Sequence, residues 1–245
     1  MRPFAFIVMV FVSGCGAGTV PSPVAREQTS VLNPDRPLPE DTKRFLALGD
    51  SYTIGESVAV EGRWPVQLVA ALRKDGLAIA DPKIIARTGW TTAELMDALD
   101  NMPPKGPYDL VSLLIGVNNQ YQGRDLVEYR KQFVDLLGRS VVLAGGNAER
   151  VIVVSIPDWG ATPFAKKKGA AATIGKAIDQ FNDVNREETK KAGAVYVEIT
   201  VASRRAATEA KLIAEDGLHP SAAMYAEWTA AVLPEAKKAL ASGGK

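Results

Sequence analysis

A serine, an aspartate and the chain's single histidine stand where they could make and break an acyl bond: Ser51 in Gly49-Asp50-Ser51-Tyr52, and both others in Asp216-Gly217-Leu218-His219-Pro220. A serine hydroxyl is a poor nucleophile at neutral pH, so it needs a base within hydrogen-bond reach, and that base needs a third group to fix its tautomer. Ser51, His219 and Asp216 have the types for those roles, and His219 is the only imidazole available. The three-residue spacing from Asp216 to His219, with a glycine between and a rigid proline after, lets a tight turn set the carboxylate against Nδ1 while Nε2 faces Ser51. A developing oxyanion needs preorganised donors. The backbone N–H groups of Ser51 and Gly89 and the side-chain amide of Asn118 could supply them.

The elements that must hold these residues follow from periodicity. From Arg44 onward short apolar runs alternate with longer amphipathic ones, the pattern of βα units around a mostly parallel sheet. Strands are expected at 45–48, 83–86, 110–115, 151–156 and 194–199. Between them, Trp64, Leu68, Val69 and Leu72 share one helical face, as do Leu95, Met96 and Leu99, and then Leu126, Tyr129, Phe133, Leu136 and Leu137. Thr91 and Glu94 have capping-box spacing, Asp125 and Ser221 are candidate N-caps, and Gly138 marks a helix end. A further helix is expected at 173–191, and a last one from Ser221 that Pro234 should break or kink near Leu233. Ser51, Gly89 and Asn118 follow the first three strands, and the Asp216 turn lies beyond the fifth. Ligands bind outside the carboxyl ends of the strands in such open sheets.

With those positions in view, Gly49-Asp50-Ser51, an isolated Gly89, Gly116-x-Asn118 and Asp216-x-x-His219-Pro220 resemble the four blocks of the SGNH or GDSL-type hydrolases, in the family's order. The resemblance implies a flavodoxin-like three-layer α/β/α sandwich around a five-stranded sheet, and ester hydrolysis through an acyl-enzyme without a cofactor. It makes Ser51 the nucleophile, Asp216 and His219 the rest of a triad, and Ser51, Gly89 and Asn118 the oxyanion hole. The family's third block reads Gly-x-Asn-Asp, whereas Asn119 follows Asn118 here. The Gly-x-Ser-x-Gly elbow is absent, since Thr53 stands at its last position, which disfavours an α/β-hydrolase. Short-chain acyl or acetyl esters, lysophospholipids, glycan O-acetyl groups and thioesters would all suit the triad. The rival reading is a catalytically inactive surface lipoprotein that binds glycans or lipids in the same cleft, with Asn119 as a sign of drift.

The composition allows this and excludes other classes. With 47% hydrophobic residues and 29 basic against 28 acidic side chains, the 245-residue chain fits neither long disorder nor a polyanion-binding protein, so no nucleic-acid partner is expected. One Cys and one His cannot form a usual zinc set. Gly14-x-Gly16-x-Gly18 follows no strand, and Gly169 and Gly175-Lys176 have the wrong spacing for a phosphate loop. Residues 1–14 read as an export signal, and Val12-Ser13-Gly14-Cys15 resembles a lipobox, which implies lipidation of Cys15. The alternatives are ordinary cleavage nearby or a retained anchor. Residues 15–42, rich in proline, would form an extended tether, and 43–245 the catalytic domain. The protein is thus expected to be exported and lipid-anchored to a bacterial envelope membrane, with Gly16 compatible with the outer one. Tyr52, Tyr121 and Trp159 are candidates to line the cleft, Trp64 is expected in the core, and Lys166-Lys167-Lys168 in a solvated loop or flap.

Overall fold

The structure is a computed structural model that describes residues 41–169 and 171–241. The signal segment, Cys15 and all but the last two residues of the tether lie outside the described residues.

Five strands form one sheet: β1 (Phe45–Asp50), β2 (Lys83–Arg87), β3 (Leu110–Leu114), β4 (Val151–Val154) and β5 (Val195–Val197). Their order is β2-β1-β3-β4-β5, and all four pairings are parallel. The three inner strands are buried along their whole length, as their unbroken apolar runs require, whereas the edge strands β2 and β5 are partly exposed.

Nine helices accompany the sheet in the described residues: α1 (Ser51–Ile54), α2 (Trp64–Lys74), α3 (Thr92–Asn101), α4 (Val117–Tyr121), α5 (Leu126–Leu143), α6 (Pro163–Lys168), α7 (Ala171–Lys191), α8 (Thr200–Ser203) and α9 (Ala222–Ala241). Parallel crossovers are right-handed, so the leftward step from β1 to β2 and the rightward steps beyond it put their helices on opposite faces. The packing agrees: α2 lies against α9 on one face, while α3, α5 and α7 follow one another on the other. This is the expected α/β/α sandwich. Trp64 is buried, as expected of a core residue, and sits beside Phe45.

The chain runs from β1 out to β2 and returns to β3, so the switch point lies between the carboxyl ends of β1 and β3. That crevice is where the fold leaves room for a ligand.

Three local expectations are corrected. Gly138 does not end a helix: α5 continues to Leu143, because Leu136, Leu137 and Ser140 prolong its buried face and exposed Gly138 costs it only about 1 kcal/mol. Pro234 does not break α9, which runs through it with Val232, Ala236, Ala239 and Leu240 all buried. The lysine run is not a loop either. Pro163 opens α6, Thr162 Oγ1 accepts from the Ala165 N–H at 3.3 Å, and Gly169 closes the helix in the left-handed conformation. The capping box of Thr91 with Glu94 and the Asp125 cap on Val127 and Glu128 are present as expected.

Candidate active site

Ser51 is the first residue of α1, immediately past the carboxyl end of β1. The turn from strand to helix is tight enough that a Cβ on Gly49 would meet Thr53 Oγ1 at 2.2 Å and the Leu114 carbonyl at 2.4 Å, so only glycine fits there. Asp50 caps the helix, its Oδ1 accepting from the Tyr52 N–H at 3.0 Å.

Asp50 is fully buried and its Oδ2 finds no partner among the described residues. Burial pushes its carboxyl up to about 8 against the lowering effect of the Tyr52 N–H. In the unfolded chain this acid ionises near 3.8. Folding therefore gains its full contribution from Asp50 below about pH 4 and loses it as pH rises through about 8, at up to roughly 1.4 kcal/mol per unit. Asp50→Asn is expected to raise the melting temperature relative to wild type more at pH 8 than at pH 5. Thermal melts giving the same difference at both pH values would contradict a buried, protonated Asp50.

The second and third blocks meet across the switch point. Gly89, at φ +85° with open space where a Cβ would stand, follows β2. Asn118 lies in α4, just past β3, and its Nδ2 donates to the Trp90 carbonyl at 2.9 Å. Only the amide nitrogen can donate to a carbonyl, so this contact fixes which way the side chain points and leaves one N–H for the cleft. Asn119 is buried and turned away from that cleft's lining: its Oδ1 accepts from the Thr92 N–H at 3.0 Å and its Nδ2 donates to Thr92 Oγ1 at 2.7 Å. Thr92 Oγ1 in turn donates to Gln132 Oε1. Asn119 thus ties α4 to the first turn of α3 with both halves of its amide used.

The fourth block is a turn held from several sides. Ile213 and Pro220 form an antiparallel bridge, the Ala214 N–H donates to the His219 carbonyl at 2.8 Å, and the Phe164 N–H to the Gly217 carbonyl at 3.0 Å. Asp216 Oδ1 accepts from the backbone N–H groups of Leu218 and His219 at 2.8 and 2.9 Å. Its Oδ2 lies 2.6 Å from His219 Nδ1 and also accepts from the Ser57 hydroxyl at 2.6 Å. Burial would raise this carboxyl, but the donors from Ser57, His219 and the two backbone groups outweigh it and hold it at about 2. With the carboxylate ionised, Nδ1 carries the proton and Nε2 is left as the basic nitrogen. The Tyr52 ring packs against the imidazole, centroids 5.2 Å apart, and burial with the nearby Asp50, Asp216 and Asp158 keeps its phenol neutral.

Ser51, Gly89, Asn118 and His219 line one cleft of about 200 Å³, with Asp216 behind His219. Tyr52, Tyr121 and Trp159 line it too. Trp159 is held by Nε1 donating to Gln120 Oε1 at 2.7 Å and by an edge contact with Tyr121 at 5.2 Å. Sequence reasoning missed Thr88, Val117, Phe164 and Leu218 among the lining residues, and Ser57 behind the aspartate. Val117, Leu218 and Thr88 are neighbours of named block residues, a signal that could have found them. Ser57 had none, since its partner is 159 residues away.

Residues 47–227 match the GDSL-like Lipase/Acylhydrolase family. No curated protein matches the chain. Among solved structures the chain is similar to TesA, with a TM-score of 0.64 at 16% identity over 81% of this chain and 100% of that one. It is similar to Axe2, an acetylxylan esterase from Geobacillus stearothermophilus, with a TM-score of 0.63 at 21% identity over 79% and 94% of the two chains. The lipase/acylhydrolase from Enterococcus faecalis gives 0.62 at 19% identity over 80% and 96%. At these identities the likeness to the solved structures is one of fold.

Proposed function

Because the chain belongs to the GDSL-like lipase/acylhydrolase family and is an ester hydrolase of the SGNH type, we propose that Ser51 is its nucleophile, His219 its general base and Asp216 the carboxylate that orients the base. The observation that carries this reading is His219 Nδ1 held at 2.6 Å on Asp216 Oδ2, with Ser51, Gly89 and Asn118 lining the cleft that His219 faces. Ser51 Oγ attacks the ester carbonyl as its proton passes to His219 Nε2. The tetrahedral oxyanion takes hydrogen bonds from the Ser51 and Gly89 backbone N–H groups and from the free N–H of the Asn118 amide. Collapse expels the alcohol, which receives the proton from His219. Water, activated by the same imidazole, then hydrolyses the acyl-enzyme.

The substrate is a short-chain acyl ester. The cleft is small beside the usual 300–1,000 Å³ of drug-sized sites, and Val117, Tyr121, Trp159, Phe164 and Leu218 give it an apolar wall. A short acyl thioester fits the same description. In a nitrophenyl ester series turnover is expected to peak at acetyl to butyryl, and kcat/KM to rise with pH along one limb, because a general base must be unprotonated to take the Ser51 proton. Rates climbing steadily to long acyl chains would contradict the acyl-size reading, and a flat pH profile the base.

Export and lipidation at Cys15 belong to the same proposal. The lipobox-like Val12-Ser13-Gly14-Cys15 supports them, and among the described residues no helix is long and apolar enough to cross a membrane. Cys15→Ser should move the protein from the membrane fraction to the soluble one; unchanged sedimentation would remove the anchor.

A further inference from the structure

Ser57 is singled out by two independent observations. At φ +64° it is the one non-glycine residue with positive φ among the described residues, and its hydroxyl donates to Asp216 Oδ2 at 2.6 Å. A left-handed backbone is unfavourable for serine, and glycine would make the same turn without strain. The turn by itself therefore gives no reason for serine here, while the hydroxyl does. Among the described residues Asp216 Oδ2 accepts from two side chains, His219 and Ser57, and the carboxylate is about one-third exposed at 31%, so without Ser57 water would compete for that oxygen.

The rest of the turn fixes where that hydroxyl stands. Gly55 closes α1 with its N–H on the Ser51 carbonyl, and the Glu56 N–H donates to the same carbonyl at 3.0 Å. The Glu56 carboxylate accepts from Thr88 Oγ1, next to Gly89. Residues 55–57 thus run directly from the helix of Ser51, with one bond to the loop of Gly89 and another to Asp216.

We propose that Ser57 is a positioning residue of the triad: it shares Asp216 Oδ2 with His219 Nδ1, and the strained turn that carries it holds this carboxylate in register with the helix of Ser51. The inference rests on the triad assigned above. The bond is charge-assisted and partly exposed, so its loss should lower kcat by about tenfold with KM unchanged. Losing one donor leaves more negative charge on Oδ2 facing the imidazole, which favours the imidazolium. The ascending limb of the pH profile should therefore move to higher pH. The ionisable groups near this pair include Tyr52, which packs against the imidazole, Asp50 and Asp158, which act on Tyr52, Glu56 and Tyr225, and Glu215, which precedes Asp216 in the chain. Substitution at Ser57 leaves all of these in place, so the difference from wild type reports on the Ser57 bond.

The test compares Ser57→Gly and Ser57→Ala, with Ser51→Ala alongside, for kcat, KM, melting temperature and pH profile. Glycine relieves the backbone strain and alanine keeps it, so their melting temperatures should part, with glycine the higher. Both lack the hydroxyl, so both should show the same loss in kcat and the same displaced limb. Activity that follows melting temperature instead, with Ser57→Gly equal to wild type, would overturn the proposal, as would an unmoved limb. If Ser51→Ala is inactive while both Ser57 variants run as wild type, only this inference falls. Wild-type activity in Ser51→Ala would remove the triad itself.

Discussion

Ser51→Ala is expected to lower kcat on nitrophenyl acetate by about ten-thousand-fold or more, with the melting temperature unchanged. The size of the effect follows from covalent catalysis: without Oγ no acyl-enzyme forms, and what remains is hydrolysis by water in a cleft that still binds the ester and its oxyanion. The fold should be indifferent because the bonds that cap and close α1 do not use the Ser51 hydroxyl. The cap comes from Asp50 Oδ1, and the contacts that close the helix from Gly55 and Glu56 use the Ser51 backbone carbonyl. A loss accompanied by a lowered melting temperature would point to damage of the strand-to-helix turn rather than to the missing nucleophile. Steady-state rates with a thermal melt on the same preparation separate the two.

Asn118→Ala is expected to lower kcat by about a hundredfold and to leave KM near its wild-type value. A donor aimed at the oxyanion acts on the transition state more than on the ground-state carbonyl, so its removal should appear in turnover rather than in binding. The substitution also deletes the bond from Nδ2 to the Trp90 carbonyl. The segment should stay in place nonetheless, because Asn119 independently pins it to Thr92 through two hydrogen bonds. Unchanged turnover in this variant would take Asn118 out of the oxyanion hole.

Much of this site was legible from residue types and spacing, and the reason is topological. In a parallel sheet the chain must return to the same edge after every crossover, so residues that follow different strands converge without any need to know the packing. Ser51, Gly89 and Asn118 are separated by dozens of residues, yet each stands just past a strand. His219 and Asp216 were legible for a local reason, since a three-residue spacing can bring a carboxylate to Nδ1 within one turn. What escaped was set by tertiary context. Pro234 lies in a helix whose buried face holds it together on both sides of the proline. Gly138 lies in a helix that keeps burying leucines past it. The helix over the lysine run did carry local signals, Thr162-Pro163 before it and Gly169 after it, which the concentration of charge concealed. Ser57 has no signal of its own, because what matters about it is a bond to the far end of the chain and a backbone angle.

The most direct test of the central claim is to treat the folded protein with a serine-directed alkyl phosphonate ester and to locate the adduct by peptide mass mapping. The mechanism predicts one phosphonyl group per chain, on the peptide that carries Ser51, with activity lost in step and no adduct in Ser51→Ala. Labelling of another residue with equal loss of activity, or active protein that remains unlabelled, would contradict Ser51 as the nucleophile.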